Sequence, residues 1–444
     1  MIIGCCSSEK EMESSERRLV APGEDAVYGK VALRLIPILF FSYILAYLDR
    51  VNVGFAKLQM CRELNLSETA YGTGAGIFFI GYLIFEIPSN IILTKVGAKI
   101  WIGRIMITWG LIALFQIFVS DERTFYLLRF MLGVAEAGFF PGIILYLTYW
   151  FPAAYRARMV AWFMTAIAVA GVAGGPLSGW ILHTTDRYLG MQGWRWLFLI
   201  EGFPSIVMGL VVLSFLDNSP KSASWLSIDE KEQLSRSQEL EEMARMELAS
   251  TSHSAKAAFR NPRVWVLSLI YFTIVMGLYG ISFWLPQIIK ETITSDEKTI
   301  GWISAVPWFV SAVVMVANGV HSDRTGERRW HIAGPCLAGA AAFVVNTMPS
   351  VTGWYGIIAL CIATAGIMSA LSCFWSLPSG MLSGSAAAAG IALVNSFGNT
   401  AGYVSPQLVG IIRDASGHNM TPALCLFSLS LLIAAMLVLL VTRK

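Results

Sequence analysis

Gly319-Val320-His321-Ser322-Asp323-Arg324-Thr325-Gly326-Glu327-Arg328 is a short basic island between two apolar stretches, at about 300–320 and 331–349. A related island, Asn90-Ile91-Ile92-Leu93-Thr94-Lys95-Val96-Gly97-Ala98-Lys99, separates the stretches at about 70–93 and 100–119. One offset of 229 residues lays Asp323 on Thr94 and Gly326 on Gly97, and sets Arg324 and Arg328 on Lys95 and Lys99. Each island follows the second apolar stretch of its own half of the chain. That placement predicts a duplicated helical bundle, the parallel repeat found in many transporter folds.

Eight further stretches extend the pattern outward. In the first half they run at about 32–56, 124–150, 158–182 and 194–216, besides the two already named. In the second half they run at about 264–289, 353–378, 387–411 and 421–441, again besides two. About 20 apolar residues suffice to span the hydrocarbon core as a helix. Interrupting Gly and Pro are tolerated there because neighbouring helices re-satisfy the freed backbone groups. The sequence predicts an all-α membrane protein of twelve transmembrane helices in two six-helix bundles. Its parts are a tail (1–31), a first bundle (32–216), a linker (217–262) and a second bundle (263–444). Within the linker, Ser227 and Glu230 have capping-box spacing, and the run to Leu248 predicts a surface helix.

Composition agrees. The chain is 56% hydrophobic and 14% charged, with a mean hydropathy of +0.62, whereas soluble domains carry about 25% charged residues. A net charge of +3 gives no ground for a nucleic-acid partner. The seven cysteines are scattered, Cys5 and Cys6 in the polar tail, and read as neither a disulfide framework nor a metal site. HExxH, GxSxG and a phosphate loop before Lys are all missing, so an enzyme is not expected. The first thirty residues lack the apolar core of a cleavable signal, which leaves the first span as its own insertion signal.

Lysine and arginine favour the cytoplasmic side of a membrane. Lys95, Lys99 and Arg104 flank the second loop, Arg156 and Arg158 the fourth, and Arg324, Arg328 and Arg329 the eighth. The opposite loops hold Lys57, Arg62, Arg123, Arg187, Lys290 and Lys298. The balance places the linker and both termini in the cytoplasm, with the protein in the plasma (inner) membrane.

The pattern G-x-x-x-D-R-x-G-x-R, carried by Gly319, Asp323, Arg324, Gly326 and Arg328, resembles the loop signature of the major facilitator superfamily. The first copy is weaker: Asn90 and Thr94 stand where Gly and Asp are usual, while Lys95 and Gly97 are kept. Tyr47-Leu48-Asp49-Arg50-Val51-Asn52, Gly81 to Asn90, Arg129 to Gly138 and Gly193-Trp194-Arg195-Trp196 resemble the anion:cation symporter branch. Phe374-Trp375-Ser376-Leu377-Pro378 and Asn395-Ser396-Phe397-Gly398-Asn399 fit the same branch, and the resemblance covers residues 32–441. It implies a secondary transporter, working as a monomer in the lipid bilayer, that takes up a small organic anion such as a tartrate, a sugar acid or an aromatic acid. The coupling ion it implies is the proton, with no other cofactor. It also marks Asp49 and Glu136 as proton-coupling acids and Arg129 as a substrate holder.

Ionisable residues inside spans cost about 2.5–3.5 kcal/mol on insertion scales and are functional candidates by default. Asp49 and Arg50 interrupt the first span. Arg129 and Glu136, seven residues apart, fall on nearly one face of the fourth, about 10 Å apart along the axis. Tyr43, Tyr47 and Arg50 make a polar stripe. Arg50 and Arg129 suit a carboxylate, and Asp49 and Glu136 suit proton exchange; with both acids ionised the four charges cancel, so one proton per monoanion restores neutrality. Arg50 has a second reading, as the residue that orients Asp49. Tyr47, Tyr82, Trp375 and Asn395 are substrate-contact candidates. Glu86 and Glu201 read as structural, Glu86 as an anchor for loop arginines.

Gly171 to Gly179 (Gly-Val-Ala-Gly-Gly-Pro-Leu-Ser-Gly) resembles a fifth-helix pattern of proton-driven exporters, and reads equally as close helix packing through small residues. An exporter of organic anions or drugs is therefore the rival function. A non-transporting sensor on the same scaffold is more remote, because the linker is of ordinary length.

Overall fold

The computed structural model describes residues 24–249, 259–351, 353–381 and 385–442. Among these are seventeen α-helices. The first half contains α1 (Glu24–Val51), α2 (Val53–Glu63), α3 (Glu68–Val96), α4 (Ala98–Phe115), α5 (Glu122–Glu136), α6 (Phe139–Thr148), α7 (Ala153–Thr185) and α8 (Gly193–Phe215). The linker helix is α9 (Ile228–Ala249). The second half contains α10 (Pro262–Thr292), α11 (Glu297–Thr325), α12 (Arg329–Val345), α13 (Trp354–Phe374), α14 (Ser376–Met381), α15 (Ser385–Asn399), α16 (Ala401–Ala415) and α17 (Thr421–Val441). Apart from α9 these make twelve spans, four of them broken in two: α1/α2, α5/α6, α13/α14 and α15/α16. Ten are long and apolar enough to cross a membrane.

Side-chain caps start many spans by accepting otherwise orphaned backbone N–H groups. Ser67 Oγ accepts from Ala70 N at 3.0 Å, and Asp121 and Thr124 form a capping box. Asp296 Oδ2 accepts from Thr299 N at 2.9 Å. The linker box forms as expected: Ser227 N donates to Glu230 Oε2 at 2.8 Å and Glu230 N to Ser227 Oγ at 3.2 Å. Lys30 also pairs with Glu230 at 2.8 Å, and these donors hold the Glu230 carboxyl below the usual range. With Arg34 over the Trp225 ring, they clamp the linker to the first half.

Leu33, Ile87, Trp302, Phe309 and Trp354 stand exposed on the outer surface. Apolar side chains displayed in this number would drive a soluble protein to associate; in a spanning bundle they face lipid. Within the first half α4 packs on α8, α3 on α5 and α1 on α7; within the second, α12 packs on α13 and α17, α11 on α13 and α10 on α15. The halves meet where α7 lies on α11 and α3 on α16.

Glycines make that meeting possible. A Cβ on Gly301 would stand 2.4 Å from the Gly175 carbonyl oxygen, and one on Gly72 would stand 2.2 Å from the Pro406 carbonyl oxygen. Gly171, Gly175 and Gly179 all face α11, so the glycine-rich stretch of the fifth span serves close packing between the halves. Gly301→Val is expected to prop this seam open and cut transport by roughly tenfold or more, since overpacking costs about 1–3 kcal/mol. Transport at the wild-type rate would show that the seam need not close.

Several boundaries differ from the sequence expectation. The first helix begins at Glu24, inside the expected tail; residues 1–23, with Cys5 and Cys6, lie outside the described part. The first span breaks at Asn52 rather than at Asp49-Arg50, and α2 carries it on to Glu63, so Lys57 is buried rather than in a loop. Its ammonium pairs with Glu68 at 3.0 Å and lies over Tyr71 and Trp284. The fourth span breaks at Ala137-Gly138, because Gly138 (φ +84°) takes a left-handed conformation that turns the chain into α6. The eleventh breaks at Thr400 and runs on to Ala415.

Candidate functional site

Two faces of the molecule can be told apart. The linker face carries α9 and the two basic islands; the distal face carries the turns at 64–67, 116–121, 293–296 and 416–420.

The centre of the first half is built on the α1 stripe. Tyr43 stacks on Phe163 at 4.5 Å. Tyr47 Oη shares a hydrogen bond with Ser282 Oγ of α10 at 3.2 Å, joining the halves. Arg50 forms an ion pair with Glu136. Glu136 is the last residue of α5, where the C-terminal carbonyls favour a nearby cation. Arg50 is 8% exposed, and its guanidinium stands over Phe78 and Tyr82, at 5.3 and 5.6 Å from the ring centres. Tyr279 of α10 lies beside it and meets Phe79 edge-on, ring centres 4.4 Å apart.

The other two charged candidates sit behind this surface. Arg129 is completely buried; its Nη2 donates to the Arg50 carbonyl at 3.1 Å and the Ala75 carbonyl at 3.5 Å, while Nε and Nη1 have no partner. In this conformation it holds the backbone under Arg50. Asp49 Oδ2 accepts from Trp109 Nε1 at 3.0 Å and Ser205 Oγ at 2.6 Å. Consecutive helical residues point about 100° apart, so Asp49 faces α4 and α8 while Arg50 faces the centre. Of the four charges, only Arg50 and Glu136 pair directly among the described contacts.

Tyr82 belongs with Arg50. Glu86, one turn on and on the same face, has Arg50 as its nearby opposite charge rather than a loop arginine. Trp375 and Asn395 form a separate group in the second half. Trp375 lies 4.9 Å from Tyr271 and 5.4 Å from Phe374, ring to ring. Asn395 Oδ1 accepts from Asn399 at 3.4 Å. Tyr271 and Tyr279 share one face of α10, which links this group to the centre.

The islands are tight turns. Gly97 (φ +97°) separates α3 from α4, and Asn218 Oδ1, at the linker's start, accepts from Lys99 N at 3.0 Å; Lys95 is exposed. In the second island Gly326 (φ +65°) ends α11. Asp323 pairs with Arg328 at 2.6 Å, and Arg328 donates to Ser322 Oγ at 2.8 Å. Arg324 points to the surface, and Gly319 has open space around it.

The sequence reading passed over a charged latch on the distal face. Arg413 of α16, 1% exposed, donates in bidentate fashion to Glu291 of α10 at 2.6 and 3.1 Å, and through Nε to Glu68 of α3 at 3.0 Å. Asp414 accepts from the first N–H groups of α3, Glu68 N at 3.1 Å and Thr69 N at 2.8 Å, an anion seated on a helix N-terminus. Gln59 donates to Glu297 at 2.8 Å and Lys290 to the Leu58 carbonyl at 3.2 Å, again between halves. Bonds between the halves therefore concentrate at the distal face. Tyr279 and this latch left no signal in the sequence, because aromatics in spans and charges at span ends are both common.

Two six-helix halves, broken spans around a central ion pair and matched glycine turns are features of one fold family. Residues 39–406 match the model of the Major Facilitator Superfamily. The chain belongs to that superfamily. It is an integral, multi-pass membrane transporter. It is 44% identical to NicT of Pseudomonas putida, a candidate metabolite transport protein, over 95% of this chain and 96% of that one. It is 46% identical to a candidate tartrate transporter of Agrobacterium vitis, over 95% and 92%. It is also 36% identical to a quinolone resistance transporter of Acinetobacter baumannii, over 95% and 96%. The inward-open xylose transporter XylE of E. coli shares the fold at a TM-score of 0.72 and 13% identity, over 93% and 96% of the two chains. The first two relatives agree with the resemblance to the anion:cation symporter branch.

Proposed function

We propose that this superfamily member takes up a small organic carboxylate together with protons, as a monomer in the plasma membrane with its linker face in the cytoplasm. The observation that carries the reading is the Arg50–Glu136 ion pair beside Tyr82 and Tyr279. Protonating Glu136 removes the competitor for the guanidinium and frees it for a substrate carboxylate, which suits its planar fork. One proton and one monoanion then enter together and leave the charge of the site unchanged, a strong requirement where water is scarce. The tartrate-transporter relative supports a hydroxy acid among the substrates; sugar acids and aromatic acids fit the same chemistry. No cofactor beyond the proton is required.

Glu136, rather than Asp49, is the acid that meets the substrate in this scheme, and Arg50, rather than Arg129, is the anion holder. Arg50→Lys is expected to raise KM by roughly tenfold or more, because an ammonium cannot make two parallel bonds to a carboxylate. Arg129→Lys is expected to lower thermal stability and kcat with little change in KM. The opposite pattern would return the holding role to Arg129.

In this scheme the distal latch closes the outer side, so the conformation is the one that releases into the cytoplasm, with the islands as hinges between the two arrangements of the halves. Uptake by proteoliposomes is expected to rise when the outside is acidified. Thermal-shift screening against hydroxy dicarboxylates, aldonates and aromatic acids identifies the substrate, since a bound ligand stabilises the folded state.

Export is the second reading, favoured by the likeness to the quinolone resistance transporter. Accumulation by inside-out vesicles on acidifying their lumen would replace uptake by export.

A further inference from the structure

A second buried acidic group lies behind the Arg50–Glu136 pair, and the scheme above leaves it idle. Glu201 of α8 is 3% exposed. Its Oε1 accepts from Ser178 Oγ of α7 at 2.7 Å, and its Oε2 has no hydrogen-bond partner among the described residues. Asp49 approaches from α1 with Oδ2 held by Ser205 and Trp109 and with Oδ1 unpartnered. Asn52, at the break between α1 and α2, is 2% exposed and lies beside Glu201, and both its amide nitrogen and oxygen lack partners.

Among the described residues, Glu201 has no cationic partner. From α7 it faces Ser178 and from the α1/α2 break Asn52; the charge facing it is Asp49, of like sign. Trp109 of α4 and Ser205 of α8 are neutral donors to Asp49, and Arg129 and Glu136 of α5 act on Asp49 from further off. An ionised carboxylate enclosed by neutral groups is costly, and two such carboxylates side by side more so. A proton on Glu201 Oε2 removes the charge and supplies a donor for the unpartnered Asn52 Oδ1.

A cavity of about 20 Å³ borders this group at Asn52 and Ser178 and has room for about one water. Asn52 and Ser178 line it from the first half; Ser282, Ser304 and Trp308 line it from the second, with Tyr47 between. It lies in the α7–α11 seam at the level of Gly175, whose contact with Gly301 has to part when the distal face opens.

We propose that Glu201 is a second proton-binding site, sharing its proton with Asp49 through Asn52 and one ordered water, and opened to the distal side when the seam parts. Its role in transport rests on the proton-coupled reading; its protonation does not.

Infrared difference spectra of the full chain in lipid nanodiscs, without substrate, test it. The C=O band of a buried protonated carboxyl is expected at neutral pH, lost in Glu201→Gln, kept in Glu136→Gln and moved to higher frequency in Ser178→Ala. In deuterated buffer the band is expected to shift slowly in the wild type and roughly tenfold faster in Gly301→Val, because exchange follows local opening. A spectrum unchanged by Glu201→Gln, or by Ser178→Ala should the first variant fail to fold, overturns the proposal and leaves the symport reading standing. Wild-type pumping by Glu201→Gln, with its carboxyl band lost, overturns the role in transport but not the proton site.

Discussion

Glu136→Gln is expected to abolish uphill accumulation of the substrate while exchange of labelled for unlabelled substrate persists. The amide has the shape of the protonated acid, so Arg50 is freed from its ion pair and can hold a carboxylate at every pH. What the variant loses is the obligation to bring a proton with it. One coupled proton per anion lets a gradient of one pH unit sustain about tenfold accumulation, since one pH unit is worth about 1.4 kcal/mol. The variant is expected to level off near unity whatever the gradient. Counterflow in proteoliposomes measures the exchange, and net uptake under an imposed pH gradient measures the accumulation. A variant that still accumulates substrate at the wild-type ratio would remove Glu136 from the coupling step. The sign of the pH dependence follows from the same competition. Acidifying the side on which the site is open protonates Glu136, releases Arg50 and raises binding there; alkalinity on the other side favours release.

The second large effect is expected at the distal latch. Arg413→Met leaves Glu68 and Glu291 facing each other without the guanidinium that now holds both. Removing one partner of a fully buried ion pair costs about 3–5 kcal/mol. Glu68 and Glu291 keep some access to water, with side chains 13% and 30% exposed, so about 2–3 kcal/mol is the reasonable expectation here. That penalty falls on the state closed at the distal face, and a shift of 1.4 kcal/mol is tenfold in an equilibrium. The protein is therefore expected to rest open on the distal side and to return from loading slowly, with kcat reduced by more than tenfold. Cys61 on α2, half-buried in this conformation, reports the change. In a Cys425→Ser background, a membrane-impermeant maleimide added to intact cells is expected to label Cys61 faster in Arg413→Met. Equal labelling and an unchanged kcat would show that the glycine seam alone keeps the face shut.

The two effects separate chemistry from motion. Glu136 and Arg50 decide which species bind together. Arg413, Glu68, Glu291 and the Gly175–Gly301 contact decide when the loaded site turns from one face to the other. A carrier needs the two linked, and Tyr47 stands at the link: it shares the α1 stripe with Arg50 and bonds Ser282 of the opposite half.

How much of this was legible beforehand depended on range. Twelve apolar stretches, the duplicated glycine turns and the linker capping box are local patterns, each set by residues within a turn or a span of one another, and all reappear in the structure. Asp49, Arg50, Arg129 and Glu136 stood out because charge is expensive among apolar residues. Their partners did not. Helical periodicity put Arg129 and Glu136 on one face, and they remain on one helix. The neighbours that separate their roles come from elsewhere: the Arg50 carbonyl behind Arg129, the Arg50 guanidinium beside Glu136, and Trp109 and Ser205 around Asp49.

By itself, the sequence determined that this is a duplicated twelve-span membrane protein with costly charges in its first half. Hydropathy and helical period are properties of a segment, and lipid enforces them segment by segment. Only the tertiary structure decided which arginine meets Glu136, that Asp49 turns toward Trp109 and Ser205 instead, and that Arg413 latches the distal face. Those outcomes depend on side chains from spans up to hundreds of residues apart approaching within a few ångströms. An ion pair's strength falls with distance and solvent access, and neither quantity is written in the order of the residues.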